Sequence, residues 1–177
     1  MDIRFEKPSR FSRGILFELL KDAYSFDKRY QQHESANWRE CDDFFFDNPQ
    51  IADRYCFITT LKGEAVGFVS WDPRRVPEHV EIGHNCIRPT HKGKGYGKAQ
   101  LQEAVERILQ SGAGKIIVTT NDDLIPAQRM YESVGFKMHQ RRKNEAEGGF
   151  VNEFIDYVYH PQRQPLQAEF EGRQNAE

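Results

Sequence analysis

The segment HKGKGYGK, residues 91–98, has the residue types and spacing with the clearest chemical potential in the sequence. Glycines let backbone N–H groups converge on an anion without side chains in the way, and a helix that follows directly adds partial positive charge. The alternative is a flexible turn with its lysines in water, because short glycine-rich matches have a high false-positive rate. The segment taken alone leaves both interpretations open.

Two familiar nucleotide-binding motifs do not fit this loop. A P-loop needs GxxxxGK[ST], whereas only three residues separate Gly93 from Gly97, and Lys98 is followed by Ala99. The dinucleotide fingerprint GxGxxG fits at Gly93 and Gly95, but the third glycine comes one residue early. The spacing therefore disfavours an ATP-binding module built on this loop.

The elements around the loop indicate a mixed α/β fold in the order β-α-α-β-β-β-α-β-α-β-β. Alternating or apolar runs predict strands at 2–6, 55–61, 64–71, 79–87, 115–120, 136–141 and 154–159. Apolar residues at helical spacing predict helices at 12–30, after the glycine loop up to Ser111, and from Pro126 to Gly135, with a helix or loop at 37–46. We expect one domain over 1–160 and a polar tail over 161–177.

Composition narrows the class of protein. At 177 residues the chain has the length of one domain, and its net charge of -2 argues against a nucleic-acid partner. Three widely spaced cysteines indicate reduced thiols, with no disulfide framework and no metal site. The sequence shows no apolar run typical of a signal peptide or membrane span, so we expect a cytoplasmic protein with no membrane partner.

Two segments together resemble motifs of the GNAT superfamily of acetyl-CoA-dependent N-acetyltransferases. Residues 87–99, IRPTHKGKGYGKA, are similar to its acetyl-CoA-binding motif, Gln/Arg-x-x-Gly-x-Gly/Ala at the start of a long helix, with Lys92 in place of the usual Gln or Arg. Asn121 with residues 127–136, AQRMYESVGF, resembles its second signature, in which Leu124 replaces a further asparagine. The resemblance covers roughly residues 2–159 and implies a GNAT fold.

The resemblance also implies where acetyl-CoA binds. The strands at 79–87 and 115–120 should splay apart and hold the pantetheine arm against the backbone of Cys86 and Ile87, where an N–H near Ile87 can stabilise an oxyanion. Asn121 is a further expected contact. The pyrophosphate is expected on the loop that consists of Lys92, Gly93, Lys94, Gly95, Tyr96, Gly97 and Lys98.

Tyr131 stands where the family places the tyrosine that protonates the sulfur of CoA. Taken alone, a tyrosine at helical spacing is usually a core aromatic. A phenol with an ordinary pKa stays protonated at neutral pH and can donate a proton, so within this motif we predict Tyr131 as the general acid.

Glu81 is the predicted general base, acting through a water in the cleft. Strict strand alternation places it on one face with Gly83, Asn85 and Ile87, and places His84 on the opposite face. His79 or His84 could also titrate usefully, so the choice between Glu81 and a histidine stays open. Cys86 is a possible acetylated nucleophile by residue type, but no histidine is spaced to activate it.

The acceptor is predicted from the segment between Asp22 and Asp53, which carries more acidic than basic residues and several aromatic ones. Acidic and aromatic surfaces suit a cationic amine, although an ordinary solvated helix face has the same composition. We expect direct acetyl transfer to a small amine. A protein lysine or N-terminus, a longer acyl group and a non-catalytic CoA sensor are the alternatives, and a homodimer is left open.

Overall fold

The computed structural model describes residues 3–161, in which seven strands form one sheet. The strands are β1 Ile3–Glu6, β2 Cys56–Leu61, β3 Glu64–Asp72, β4 Val80–Ile87, β5 Ile116–Asn121, β6 Lys137–Lys143 and β7 Glu153–Tyr159. Their order across the sheet is β1-β2-β3-β4-β5-β7-β6, and only β4 and β5 pair in parallel. All seven strands agree with the predicted ones to within two residues. The predicted tail lies outside the described residues, except for its first residue.

Helices cover both faces of the sheet and are α1 Ile15–Ala23, α2 Lys28–Asp47, α3 Pro49–Tyr55, α4 Tyr96–Gln110 and α5 Ile125–Val134. Leu101 and Ile108 of α4 pack with Ile82 of β4 in one core cluster. Leu16 and Leu20 of α1 belong to a second cluster on the opposite face. Both clusters consist mainly of fully buried side chains, so the sheet is a rigid platform for whatever its edges carry.

The region between β1 and β2 departs from the sequence prediction. The predicted first helix is divided: α1 ends at Ala23, and the Asp27 side chain caps α2 by accepting the Arg29 N–H. Helix α2 then runs for 20 residues, far beyond the predicted 37–46, because its mostly polar surface hides the helical period. Pro49 occupies the first turn of α3, a helix that the sequence did not predict, and its missing N–H costs nothing there.

Candidate active site

A cleft opens between β4 and β5, as predicted. The two strands pair only from Val80 to Ile82 on β4 and from Ile116 to Val118 on β5, and they separate beyond these residues. The Arg88 N–H donates to the Val66 carbonyl oxygen on the β3 side at 2.7 Å. Because backbone groups alternate in direction along a strand, the N–H and C=O of Ile87 face the cleft. The predicted oxyanion donor is therefore available there.

The predicted alternation of side chains along β4 fails at Glu81. Val69 of β3 pairs with Asn85, whereas Trp71 pairs with Ile82, so β4 carries an extra residue between Ile82 and Asn85. Such a bulge shifts the alternation of side chains by one position. Glu81 therefore does not share a face with Asn85. His84 lies beside Phe68, with ring centroids 6.1 Å apart, on the face opposite to Asn85, as predicted.

A cavity of about 490 Å³ lies at the open end of the cleft. It joins the splayed part of β4 to α1, α2, α5 and the loop after β6. The lining residues are Tyr24, Tyr30, His33, Glu34, Trp38, Gly83, His84, Asn85, Thr119, Thr120, Asn121, Leu124, Ala127, Tyr131, Asn144, Ala146, Glu147, Gly148, Gly149, Phe150, Val151 and Phe154. Tyr131 thus lies at the cavity, whereas Glu81 is exposed and is not among the lining residues.

The glycine loop forms an open helix N-terminus. Gly93 and Gly95 have φ of 75° and 85°, a backbone conformation that other residues rarely adopt. Gly95 is the N-cap, and its carbonyl accepts the first intrahelical hydrogen bond from the Ala99 N–H at 3.0 Å. The amides of Tyr96, Gly97 and Lys98 precede that bond, so helix geometry leaves them for an external acceptor.

Two lysine side chains of the loop bond to the protein itself. The Lys92 Nζ donates to the Ala23 carbonyl oxygen at 2.7 Å and lies 5.2 Å from the centroid of the Phe26 ring. Burial lowers the pKa of Lys92. Lys94 donates to the Thr90 carbonyl oxygen at 2.9 Å. The main chain of Lys92 and Lys94 is therefore a better candidate than their side chains to contact a phosphate.

Tyr131 is buried at the cavity and retains its proton. Burial raises the pKa of its phenol to about 12, and interaction with the Asn85 carboxamide opposes the rise. A buried tyrosine at helical spacing is also a core residue, and Tyr131 does pack on Phe136 and Tyr157. Tyr131 therefore belongs to the core cluster and also lines the cavity, and its role as general acid stays a prediction.

His84 lines the cavity, whereas Cys86 and His79, the other candidates from β4 and the residue before it, do not. Burial lowers the pKa of His84 from its ordinary 6.5, so the imidazole is neutral at pH 7 and can accept a proton. Burial raises the pKa of the Cys86 thiol to about 12, which removes the thiolate that a nucleophile would need. His79 does not line the cavity.

Asn121 lies at the end of β5, and its side chain is engaged with the protein. Its Oδ1 accepts the N–H groups of Asp123 and Leu124 at 3.1 and 3.2 Å, and its Nδ2 donates to the Tyr30 hydroxyl at 2.9 Å. These bonds hold the turn into α5. The predicted contact between Asn121 and acetyl-CoA stays a prediction.

Sequence reasoning missed several of the cavity residues. Asn85 enters the sequence analysis only through its strand phase, and Phe150 is not among the predicted site residues. No local signal could identify them, since a bulge places Asn85 and long-range packing against Tyr30 places Phe150.

Within residues 3–161, none of the helices is both long and apolar enough to cross a membrane.

Residues 15–136 match the acetyltransferase (GNAT) family, from the start of α1 to the residue after α5. This match covers more than half of the chain. The chain belongs to the acetyltransferase (GNAT) family. An 83-residue stretch of the chain is 30% identical to N-acetylaspartate synthetase from Xenopus tropicalis and covers 46% of this chain and 31% of that protein. A 72-residue stretch is 29% identical to streptothricin acetyltransferase from Streptomyces lavendulae, with coverage of 41% and 35%.

The chain therefore aligns with about a third of the length of these two relatives. Its fold is similar to that of a GNAT family acetyltransferase from Elizabethkingia anophelis with acetyl-CoA bound. The TM-score is 0.64 at 17% identity, and the alignment covers 90% of this chain and 99% of that one. The similarity supports the mixed α/β GNAT fold that the sequence motifs predicted.

Proposed function

We propose that the protein transfers the acetyl group of acetyl-CoA to the primary amine of a small cationic acceptor. One observation carries the choice of acceptor: the cavity that reaches Tyr131 combines aromatic rings with Glu34 and Glu147. Within the described residues, no lysine or arginine lines it. Such a surface attracts a cation and repels an anion.

Acetyl-CoA would bind along the cleft between β4 and β5. The open amides at the start of α4 would take the pyrophosphate, because a helix N-terminus with free N–H groups binds anions. Gly97 lets the start of α4 pack closely on Met130 of α5, since a Cβ at this position would lie 3.0 Å from the Met130 sulfur. The pantetheine arm would follow the unpaired edge of β4, where the Ile87 N–H can bind the thioester oxygen.

Aromatic side chains from α1, α2 and the loop after β6 form the acceptor side. The rings of Tyr24 and Trp38 stack with centroids 5.6 Å apart, and Tyr30 meets Phe150 edge-on at 4.7 Å. Glu34 is half-buried in the same wall and raises the pKa of His84, against the stronger effect of burial. An ammonium group held between rings and a carboxylate gains both cation–π and charge attraction.

His84 and Tyr131 supply the proton transfers of this scheme. Neutral His84 takes the proton from the acceptor ammonium, and the free amine forms a bond to the thioester carbon. The carbon–sulfur bond then breaks, the Tyr131 hydroxyl gives its proton to the sulfur, and the nitrogen loses its remaining extra proton to water to give the neutral amide. We place His84 ahead of Glu81 because only His84 lines the cavity. That Glu81 is the base stays a prediction from the sequence, and variants of Glu81 are therefore compared with variants of His84.

The two curated relatives give different indications about the acceptor. The name of N-acetylaspartate synthetase denotes an acidic amino-acid product, whereas that of streptothricin acetyltransferase denotes an antibiotic acceptor. An acidic acceptor would meet Glu34 and Glu147 without a cation among the described lining residues. The charge of the cavity therefore favours a cationic amine over aspartate. Transfer to a protein lysine or N-terminus, and CoA sensing without turnover, remain the competing functions.

The test is an acceptor panel of aliphatic diamines, monoamines, aspartate and a lysine peptide, with release of CoA as the readout. We expect the diamines to give the highest kcat/KM, and Glu34→Gln to raise their KM about tenfold. Glu147→Gln is the matched control in the loop after β6, with a smaller expected effect. Preference for aspartate would overturn the cationic acceptor. Acetyl-CoA binding with no turnover on any amine would favour the sensor.

A further inference from the structure

Gln100 is a polar residue in the interior of α4 with an exposed fraction of 0%. Its neighbours Leu101 and Ala104 belong to the apolar core. A buried carboxamide in such surroundings is costly unless each of its polar atoms finds a partner. The partners of Gln100 connect α4 to β2, β3 and β4, and they end beside the proposed general acid.

The carboxamide of Gln100 has one orientation that its surroundings allow. Its Nε2 donates to the Asn85 Oδ1 at 2.7 Å and to the carbonyl oxygens of Phe68 and Cys86 at 2.9 and 3.2 Å. Its Oε1 accepts the Thr59 hydroxyl. A reversed carboxamide would set its oxygen against the backbone carbonyl oxygens of Phe68 and Cys86, so these two groups fix the assignment.

This orientation in turn fixes Asn85. Because Gln100 presents an N–H, Asn85 must turn its Oδ1 toward Gln100 and its Nδ2 the other way. The Nδ2 is buried and makes no regular hydrogen bond within residues 3–161. Asn85 and Tyr131 line the same cavity, and the Asn85 carboxamide lowers the pKa of the Tyr131 phenol, as an N–H donor to the phenol oxygen would.

The backbone of β3 makes room for this arrangement. A Cβ at Gly67 would lie 2.3 Å from the Cys86 carbonyl oxygen and 3.0 Å from the Gln100 Oε1. Both distances are shorter than ordinary contacts, so only glycine lets Gln100 reach into the sheet here. The network is thus built into the packing of α4 on β3.

We propose that Gln100 is a positioning residue which, through Asn85, directs the proton of Tyr131 into the cavity. With its oxygen facing an Asn85 N–H, the Tyr131 hydroxyl cannot donate to Asn85 and points its hydrogen at the leaving sulfur. When that proton moves to the sulfur, the phenolate is stabilised by the Asn85 N–H until water returns a proton. This inference rests on the proposed function, in which Tyr131 is the acid.

Four single variants, one of which is Tyr131→Phe, and a double variant test the proposal. Gln100→Met keeps the approximate shape and removes the bonds. The side chain of Gln100→Glu, when ionised, can only accept and would rotate Asn85 so that its oxygen faces Tyr131. Thr59→Val removes the far end of the network without touching Asn85, and is the matched control for lost stability. Gln100→Met is also made in a Tyr131→Phe background, because residues that act through one another are not additive.

We expect Gln100→Met to lower kcat about tenfold and Gln100→Glu to lower it further, each with KM for acetyl-CoA within about twofold. Thr59→Val should lower the melting temperature without changing kcat. In the Tyr131→Phe background, Gln100→Met should change kcat by less than about twofold. Melting curves would show that each variant is folded.

Two results would overturn the proposal while leaving the proposed function in place. One is unchanged kcat in folded Gln100→Met. The other is an equal loss of kcat with and without the Tyr131 hydroxyl, which would show that Gln100 acts on stability or packing alone. If Tyr131→Phe by itself leaves turnover unchanged, the fault lies instead with Tyr131 as the acid.

Discussion

The two strand-to-helix junctions beside the cleft have the same topology and opposite chemistry. After β4, glycines lead into α4 and leave the amides of Tyr96, Gly97 and Lys98 ahead of its first hydrogen bond. After β5, the Asn121 side chain accepts two turn amides, and Pro126 has no N–H to offer. The first helix end is therefore open to an anion and the second is satisfied by the protein itself.

This difference separates function from stability along one edge of the sheet. Changes at the first junction should remove ligand binding or chemistry in a folded protein. Changes at the second should loosen the fold and leave ligand binding nearly intact. Variants on the two sides of the cleft should therefore differ in whether they lose binding and turnover or lose stability.

Gly95→Glu should weaken acetyl-CoA binding by more than about a hundredfold, because it brings a carboxylate to the phosphate site and a side chain to a left-handed position. Gly95→Ala has the same backbone strain without the charge and is the matched control, with a much smaller expected loss. Thermal shifts on adding acetyl-CoA measure both variants. Equal losses in the two variants would assign the effect to the backbone and argue against a phosphate site.

His84→Ala should lower kcat about a hundredfold, since the cavity loses its neutral base, and Glu81→Gln should change it by less than about threefold. Because the pKa of His84 lies below 6.5, wild-type turnover should fall only as pH drops below that value. Steady-state kinetics against pH would measure both variants. A large effect of Glu81→Gln beside a small effect of His84→Ala would restore Glu81 as the base.

Asn121→Ala should cost about 1–2 kcal/mol of unfolding free energy, because two turn amides and the Tyr30 hydroxyl lose their partner. Its Kd for acetyl-CoA should stay within about twofold. Urea unfolding and calorimetry would measure the two quantities. A folded variant with binding weakened more than about tenfold would support the direct contact between Asn121 and acetyl-CoA that the sequence predicted.

The smallest effect concerns stability in mild acid. His84 has a lower pKa in the folded chain than its ordinary 6.5, so below that pH the unfolded chain binds a proton that the folded chain does not. Its contribution to stability is complete above pH 6.5 and is lost as pH falls, by at most about 1.4 kcal/mol per pH unit. His84→Asn should therefore lose less stability than the wild type between pH 6.5 and 5.5. Identical slopes would contradict the lowered pKa.

Sequence reasoning succeeded where local pattern decides the structure. The strands and the glycine loop before α4 were predicted because apolar period, turn residues and motif spacing all act within a few residues. The side-chain alternation along β4 was not fully predicted, since the bulge that interrupts it arises from pairing with β3. The cavity wall formed by Glu34 and Phe150 depends on packing between segments far apart in the chain, which one sequence does not encode locally.

Binding of the acetyl-CoA pyrophosphate to the N-terminus of α4 can be tested directly by nuclear magnetic resonance of the isotope-labelled protein during a titration with acetyl-CoA. We expect saturable shifts that are largest for the amides of Tyr96, Gly97 and Lys98, and we expect Gly95→Glu to abolish them. Saturable binding that leaves those three amides unchanged, or shifts centred on Asp123 and Leu124, would show that the pyrophosphate does not bind at this helix end.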